Sequence, residues 1–447
     1  MSVAPTPAAR PTARARTVMR RLLPATLGAA LAAAAGIAAV PSAGASSGPV
    51  VGTHQDAVSA VVDGLHLTRV CGLPVTGHAA CNAITNDSAN VTVHPHAAPS
   101  GSGYGPAQIQ GAYGLTPAAG VGTGPTVAVV DAYDDPTAAS DLATYRSSWG
   151  LSNCTDGTVG CILTKVGEGA ALPASDSGWA LEESLDLDAV TAACPACRIL
   201  LVEANSATTA DLGASVNKAA AYLDPAGKHV VAISNSYGGA ESSSDPTTTA
   251  TYYTHPGIAI TVSAGDSGYG VEYPAAAPTV TSVGGTHLVV NSNNTWNSET
   301  VWGAAPSFVQ KLLGQNPAGT GSGCSAYENR PAGQPTISGC AKRIVSDVSA
   351  VADPATGLAV YDTTGQSGWV EVGGTSLSSP LIAAIYAQGG STTAINGPNL
   401  IYAAPAGSFH DVTSGTNGSC SNSKLCTAGS GYDGPTGVGT PKSAAVF

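Results

Sequence analysis

Four short apolar runs rich in β-branched residues recur through the middle of the chain, at 126–131, 198–202, 229–233 and 257–262. None alternates apolar with polar residues, so each reads as a strand buried on both faces, the pattern typical of parallel sheets. Between them lie Ala-rich stretches such as 210–223 with a repeat of ~3.6 residues, the period of a helix. Parallel neighbours need a crossover, and a helix packing back on the sheet supplies it. The expectation is an α/β fold with a mainly parallel central sheet and helices on both faces. Ligands in such sheets bind beyond the carboxyl ends of the strands, so chemistry is sought there.

The chain is 447 residues long and 43% hydrophobic, enough to bury a sizeable core and to exclude a disordered chain. Its formal net charge is −12. Five of its basic residues, Arg10, Arg14, Arg16, Arg20 and Arg21, sit at the N-terminus, and removing those five turns −12 into −17. A surface that acidic repels phosphate, which argues against nucleic acid as a partner. The arginines precede an apolar run at 22–40 and the small residues Ala43-Gly44-Ala45. This is the layout of a secretory signal, residues 1–45, with an uncleaved anchor as the alternative. Secretion implies an extracellular protein without stable membrane association once the signal is removed.

Ten cysteines fit that compartment. They fall as sequence neighbours, Cys71/Cys81, Cys154/Cys161, Cys194/Cys197, Cys324/Cys340 and Cys420/Cys426, and five short staples are the simplest reading. Cys194-Pro195-Ala196-Cys197 leaves a redox pair open. Residues 46–102 carry their own cysteine pair and end in a Pro- and Gly-rich stretch, which reads as a short prosegment or N-terminal extension. Residues 103–447 form the main domain.

Three segments carry chemistry. Gly373-Gly374-Thr375-Ser376 leads into an apolar helix with Pro380 expected early in it, where a missing N–H matters little. Ser376 then stands at a helix N-terminus, close to backbone N–H groups suited to a developing oxyanion. Read alone, it is equally an N-cap serine. None of the nine histidines lies in a helix start where a base for it would be expected. In 179–188, by contrast, Glu182 and Asp186 are four residues apart and share one helix face. Two facing carboxyls repel unless they share a proton, so one is poised as an acid-side base; the plain alternative is a solvated acidic face. The third segment, Gly265-Asp266-Ser267-Gly268, follows the fourth strand. A protonated Asp266 could donate a hydrogen bond to an oxyanion.

Taken together, Glu182-x-x-Leu185-Asp186, Gly265-Asp266-Ser267-Gly268 and Gly374-Thr375-Ser376 resemble the sedolisins, serine-carboxyl peptidases with a subtilisin-like fold. Further matches are Ser234-Asn235-Ser236-Tyr237-Gly238, Tyr273-Pro274-Ala275, Ser282-Val283-Gly284-Gly285-Thr286 and Asp347-Val348-Ser349-Ala350. The resemblance implies a nucleophile at Ser376, a general base at Glu182, Asp186 orienting that base, and Asp266 stabilising the tetrahedral intermediate. It also implies a calcium site at the C-terminal end of the domain, built by Asp411, Val412, Gly429, Gly431 and Asp433, an oxygen-only set of the kind calcium takes. The implied activity is that of a secreted endopeptidase, made as a zymogen, that acts on protein or peptide substrates in acid as a monomer. The leader is shorter than the family's usual prodomain, Tyr237 stands where the family often has Trp, and Asp131 ends the first strand. Two alternatives remain: a neutral subtilisin-like peptidase using Asp131 and a histidine, and a catalytically silent secreted binding protein on the same fold.

Overall fold

The computed structural model describes Met1 and residues 59–62, 65–87, 103–116, 122–152, 162–307, 317–390 and 395–447. The expected signal segment, the Cys154/Cys161 pair and residues 88–102 at the end of the leader lie outside them.

An eight-stranded sheet forms the centre. It consists of β5 (Thr126–Ala132), β6 (Leu163–Gly167), β7 (Arg198–Ala204), β8 (Ala232–Asn235), β10 (Ala259–Ser263), β13 (Thr281–Val290), β14 (Trp296–Val301) and β17 (Val348–Val351). The order is β14-β13-β10-β8-β5-β7-β6, with β17 joined to β13. Every pairing is parallel except β13 with β14. All seven residues of β5 are buried, which is why that stretch reads as a continuous apolar run. The strands β8 and β10 begin later than the runs at 229 and 257 suggest. Before β8, the Asp224 carboxylate accepts from the backbone N–H groups of Ala226 and Lys228, holding a turn there.

Among the described residues there are seven α-helices, α1 (Pro106–Ala112), α2 (Ala138–Ser148), α3 (Ser177–Ala193), α4 (Thr209–Ala221), α5 (Asp245–Tyr252), α6 (Thr375–Gly389) and α7 (Asn399–Ala403). The fold is the expected subtilisin-like α/β arrangement, with helices on both faces of the mainly parallel sheet. Helices α3 and α6 pack against each other, and α4 packs against α5. Nearly every residue of α3, including its carboxyl side chains, is buried.

Two smaller sheets involve the leader. Strands β1 (Ser59–Val62), β2 (Leu65–Arg69) and β4 (Ile84–Asn86) join β18 (Leu358–Asp362) and β19 (Gly368–Gly373) in the order β1-β2-β4-β19-β18. A third sheet has the order β12-β9-β3, from β3 (Ala80–Cys81), β9 (Tyr237–Ala240) and β12 (Glu272–Tyr273). Strands β11 (Ser267–Tyr269), β15 (Gly319–Cys324) and β16 (Ile344–Val345) pair beside the Asp266 turn, and β20 (Phe409–His410) pairs with β21 (Thr440–Pro441).

Among the described residues four disulfides pair the cysteines as sequence neighbours, Cys71–Cys81, Cys194–Cys197, Cys324–Cys340 and Cys420–Cys426. Cys194 and Cys197 are buried at the turn between α3 and β7, where they staple it. Among the described residues, no helix is long and apolar enough to cross a membrane.

Candidate active site

The site lies where the carboxyl ends of β8 and β10 meet the N-terminus of α6. Gly374 makes that meeting possible. Its φ is +96°, a left-handed backbone that favours glycine, and a Cβ there would stand 2.1 Å from the Asn82 carbonyl oxygen and 2.6 Å from Asp266 Oδ2. The turn delivers Ser376 to the first turn of α6 as a fully buried residue, its Oγ donating to the Ser236 carbonyl at 3.0 Å.

Pro380 does not sit in the first turn, as the sequence suggested, but inside α6. Its missing N–H leaves the Ser376 carbonyl without its helical donor. The Ser236 hydroxyl lies 3.3 Å from that oxygen and can donate to it, while also lying 2.8 and 2.9 Å from the two carboxyl oxygens of Asp186. The proline therefore creates an acceptor that ties the Ser376 turn to the Asp186 side of the site.

Glu182 and Asp186 share one face of α3 and are fully buried. Burial pushes the Glu182 carboxyl well above its ordinary range; Asp186 and Asp131 add to the rise, Ser376 opposes it and Asp266 adds a little more. These four influences mark Glu182 as the point where the acidic groups and the serine converge. Its carboxyl oxygens have no hydrogen-bond partner among the described residues. Asp186 is likewise pushed up, first by burial and then by Asp131, with the Ser236 hydroxyl opposing. Neither lies on a solvated face.

Asp266 is anchored on one side only. Its Oδ1 accepts from the Thr375 N–H and hydroxyl, both at 2.8 Å, while Oδ2 is buried without a partner. Burial raises its pKa to about 7, against the pull of Arg69 and the Thr375 hydrogen bonds. Below that pH the carboxyl is protonated and can donate, and its free oxygen lies beside Gly374, where an added Cβ would stand 2.6 Å from it. Arg69 of the leader donates to the Asp266 carbonyl at 2.9 Å and to Ser267 Oγ at 3.1 Å.

Asp131 stands at the end of β5, fully buried and with neither oxygen hydrogen-bonded; burial and Glu203 raise it to about 8. Among the described residues no histidine hydrogen-bonds Asp131 or Ser376. His287 pairs with Asp353 at 2.9 Å, His255 with Asn217 at 2.9 Å, and His410 stacks on Trp296 at 3.8 Å. Tyr237 hydrogen-bonds Asn235 Oδ1 at 2.8 Å, and its ring packs on Trp179 at 6.4 Å. The Asp347 motif serves the scaffold: Asp347 is buried in an ion pair with Arg343 and accepts from the Ser282 N–H at 2.8 Å.

Arg69, Asn82 and Glu272 also reach this region and carry no motif. Glu272 is raised to about 7 by burial, with Arg69 and the Asn82 side chain opposing. Their positions follow from long-range pairing of the leader, which no local pattern encodes. A cavity of about 940 Å³ lies elsewhere, at the amino ends of the strands among Thr126, Arg198, Asp224 and His229.

Among the C-terminal residues, Asp411 and Asp433 come together across the glycine loop. Asp411 Oδ2 accepts from the Gly431 N–H and Asp433 Oδ2 from the Gly429 N–H, both at 2.9 Å, while Asp433 Oδ1 holds Thr436. Val412 is buried beside them.

A central parallel sheet, a buried serine at a helix N-terminus, paired helical carboxyls and a buried aspartic acid beside that helix start are the arrangement that the resemblance to the sedolisins implies. The chain is similar to members of the sedolisin family. It is 30% identical over 351 residues to kumamolisin from Bacillus sp. (strain MN-32), covering 72% of this chain and 59% of that protein. It is 35% identical over 181 residues to sedolisin from Pseudomonas sp. (strain 101), covering 39% of this chain and 29% of that protein. It is 38% identical over 183 residues to xanthomonalisin from Xanthomonas sp. (strain T-22), covering 38% and 21%. The chain thus spans between about a fifth and three fifths of the length of these curated relatives. The solved structure of the Pseudomonas sedolisin, a serine-carboxyl proteinase complexed with pseudo-iodotyrostatin, superposes with a TM-score of 0.63 at 26% identity, covering 77% of this chain and 97% of that one. No protein-family model matches the chain.

Proposed function

We propose that the chain is a secreted serine-carboxyl endopeptidase that cleaves protein or peptide substrates through an acyl-enzyme in acid. The observation that carries this reading is the half-satisfied Asp266: one oxygen fixed by Thr375, the other buried and unpartnered beside Gly374, at the turn that leads into Ser376. A carboxylate there would oppose an oxyanion, and a carboxylic acid supports one.

In this scheme Ser376 Oγ adds to the substrate carbonyl carbon and its proton passes to Glu182, which returns it to the departing amine. Asp186, held by Ser236, keeps Glu182 in place and shares its proton load. Asp266 and the Ser376 N–H donate to the oxyanion. Water then hydrolyses the ester. Removing a general base or one oxyanion donor typically lowers rate by about 10²–10⁴-fold. The test is peptide hydrolysis from about pH 3 to pH 8 by the protein and by Ser376→Ala. Acid-side activity lost in Ser376→Ala supports the reading, and equal activity in both refutes it.

Residues 1–45 are proposed as the secretory signal, 46–102 as the leader and 103–447 as the peptidase domain, acting as a monomer. Calcium is proposed at Asp411, Val412, Gly429, Gly431 and Asp433. The residues fit such an ion: two carboxyls converge on a glycine loop, and their mutual repulsion adds to the burial that raises Asp433 to about 6. A hard cation neutralises that repulsion and takes oxygen ligands only. Bound there, it would brace the loop that carries Cys420–Cys426.

A further inference from the structure

The cavity of about 940 Å³ opens at the amino ends of the strands, the edge of the sheet opposite Ser376. That volume suits one small organic molecule. Ala220 of α4, Val230 before β8, Ile258 before β10 and Ala387 of α6 give it apolar walls.

Two polar side chains interrupt those walls, and the fold leaves part of each unused. Thr126 and Arg198 both line the cavity. They are register partners at the first residues of β5 and β7, so their side chains leave the sheet on the same face. Neighbouring strands lie about 4.8 Å apart, which brings the two together. Thr126 is only 3% exposed, yet its Oγ1 has no hydrogen-bond partner. Arg198 uses one corner of its guanidinium: Nη1 donates to the Gly124 carbonyl at 3.2 Å and to Asp224 Oδ2 at 3.3 Å. Its Nε is buried and donates to nothing among the described residues. Buried N–H and O–H groups are normally paired, so two orphans side by side on a cavity wall mark a place where a ligand completes the set.

Charge decides what kind of ligand that is. Among the described lining residues Arg198 and Lys228 are cationic and Asp224 is a carboxylate. Asp224 is already engaged: Oδ1 accepts from the Ala226 and Lys228 N–H groups, both at 2.8 Å, and Oδ2 faces Arg198. Burial lowers the pKa of His255, and its Nε2 is held between Asn217 and the Tyr252 carbonyl. The lining therefore has an excess of one positive charge, before any from His229. A monoanion with an apolar body matches both the charge and the walls. Arginine takes a carboxylate edge-on, and the threonine hydroxyl can supply a further hydrogen bond to it.

The geometry points to a binding site for a small apolar carboxylic acid at the amino end of the sheet. Arg198 Nε and Thr126 Oγ1 hold the carboxylate, and the walls around Val230 and Ile258 hold the hydrocarbon. The site is remote from Ser376 and stands independently of the peptidase reading.

The test is calorimetric titration of the full-length Ser376→Ala chain with octanoate, octanol and octylamine at about pH 6, where a carboxylic acid is ionised. One octanoate per chain is expected, bound at least about 10-fold more tightly than either of the others. Thr126→Val keeps the shape of the side chain and removes a hydroxyl that the fold itself leaves unpaired. It is expected to hold or raise the urea midpoint while weakening octanoate by about 10-fold. Arg198→Met is expected to weaken octanoate by about 10–100-fold. Equal binding of octanoate and octanol, an affinity for octanoate unchanged in Thr126→Val and Arg198→Met, or no saturable binding below about 10 mM overturns the proposal.

Discussion

Replacing Asp266 with Asn tests the electrostatic logic of the site most directly. Burial raises this carboxyl from 3.8 to about 7 in the folded chain. The native state therefore binds its proton more tightly than the unfolded chain does. The stability this gives is fully present below about pH 4 and is lost as pH rises through about 7. A shift of roughly 3 units at about 1.36 kcal/mol per unit makes the loss about 4 kcal/mol. Asn has nearly the same shape, keeps an oxygen for Thr375 and an N–H₂ for the space beside Gly374, and does not titrate. Urea unfolding in a Ser376→Ala background, which prevents self-digestion, is to be compared at about pH 4, 6 and 8 with and without Asp266→Asn. Asp131, Glu203 and Glu371 still titrate in both proteins, so the informative quantity is the difference between their slopes. The decline from pH 4 to 8 is expected to be smaller by about 4 kcal/mol in the Asn variant. Identical slopes would show that Asp266 is ionised throughout, and the oxyanion argument would fall with it.

Glu182→Gln is expected to lower kcat by about 10²–10⁴-fold at little change in KM, read from initial rates, since it removes only a proton acceptor; unchanged kcat would assign the base elsewhere. Gly374→Ala places a methyl carbon 2.1 Å from the Asn82 carbonyl oxygen at φ +96°. It is expected to destabilise the fold by about 1–3 kcal/mol and to lower activity more than stability, by comparing urea midpoints with peptide turnover. Calcium binds the folded state in the proposed scheme, so excess chelator should lower Tm, and Asp411→Asn should abolish that response. A chelator-insensitive Tm would remove the ion from the account.

What the sequence reveals and what it hides divide along contact distance. The strands β5 and β7 are legible because burial on both faces forces every residue to be apolar. Ser376, Glu182, Asp186 and Asp266 are legible as types at fixed local spacings, Glu182 and Asp186 because a helix places residues four apart on one face. The same spacing left their environment open between a solvated and a buried face, and only the packing of α3 against α6 decides it. Pro380 was misplaced because a helix boundary set by a glycine turn is invisible to residue preference at this resolution of a few positions. Asn82 and Glu272 carried no signal at all: β3 meets β9 across more than a hundred and fifty residues of chain, and an extended strand of Ala-Cys-Asn has no pattern of its own. Asp131 at a strand end, with no histidine motif to match it, reads as a structural or supporting acid, and among the described residues it is buried with no histidine hydrogen-bonded to it.

The hydroxyl of Ser236 has one hydrogen and three acceptors within 3.3 Å, the two oxygens of Asp186 and the carbonyl that Pro380 leaves free. While Asp186 is ionised, the hydrogen goes to it. Once Asp186 binds a proton it becomes the donor, Ser236 Oγ becomes the acceptor, and the serine's own hydrogen turns to the Ser376 carbonyl. The charge on one helix is thereby written into the backbone of another, at the turn that carries Ser376. A helix-breaking residue that would elsewhere be a defect here supplies the socket for that signal, so Pro380→Ala should disconnect α6 from the titration of α3 while leaving the side chains of the site in place.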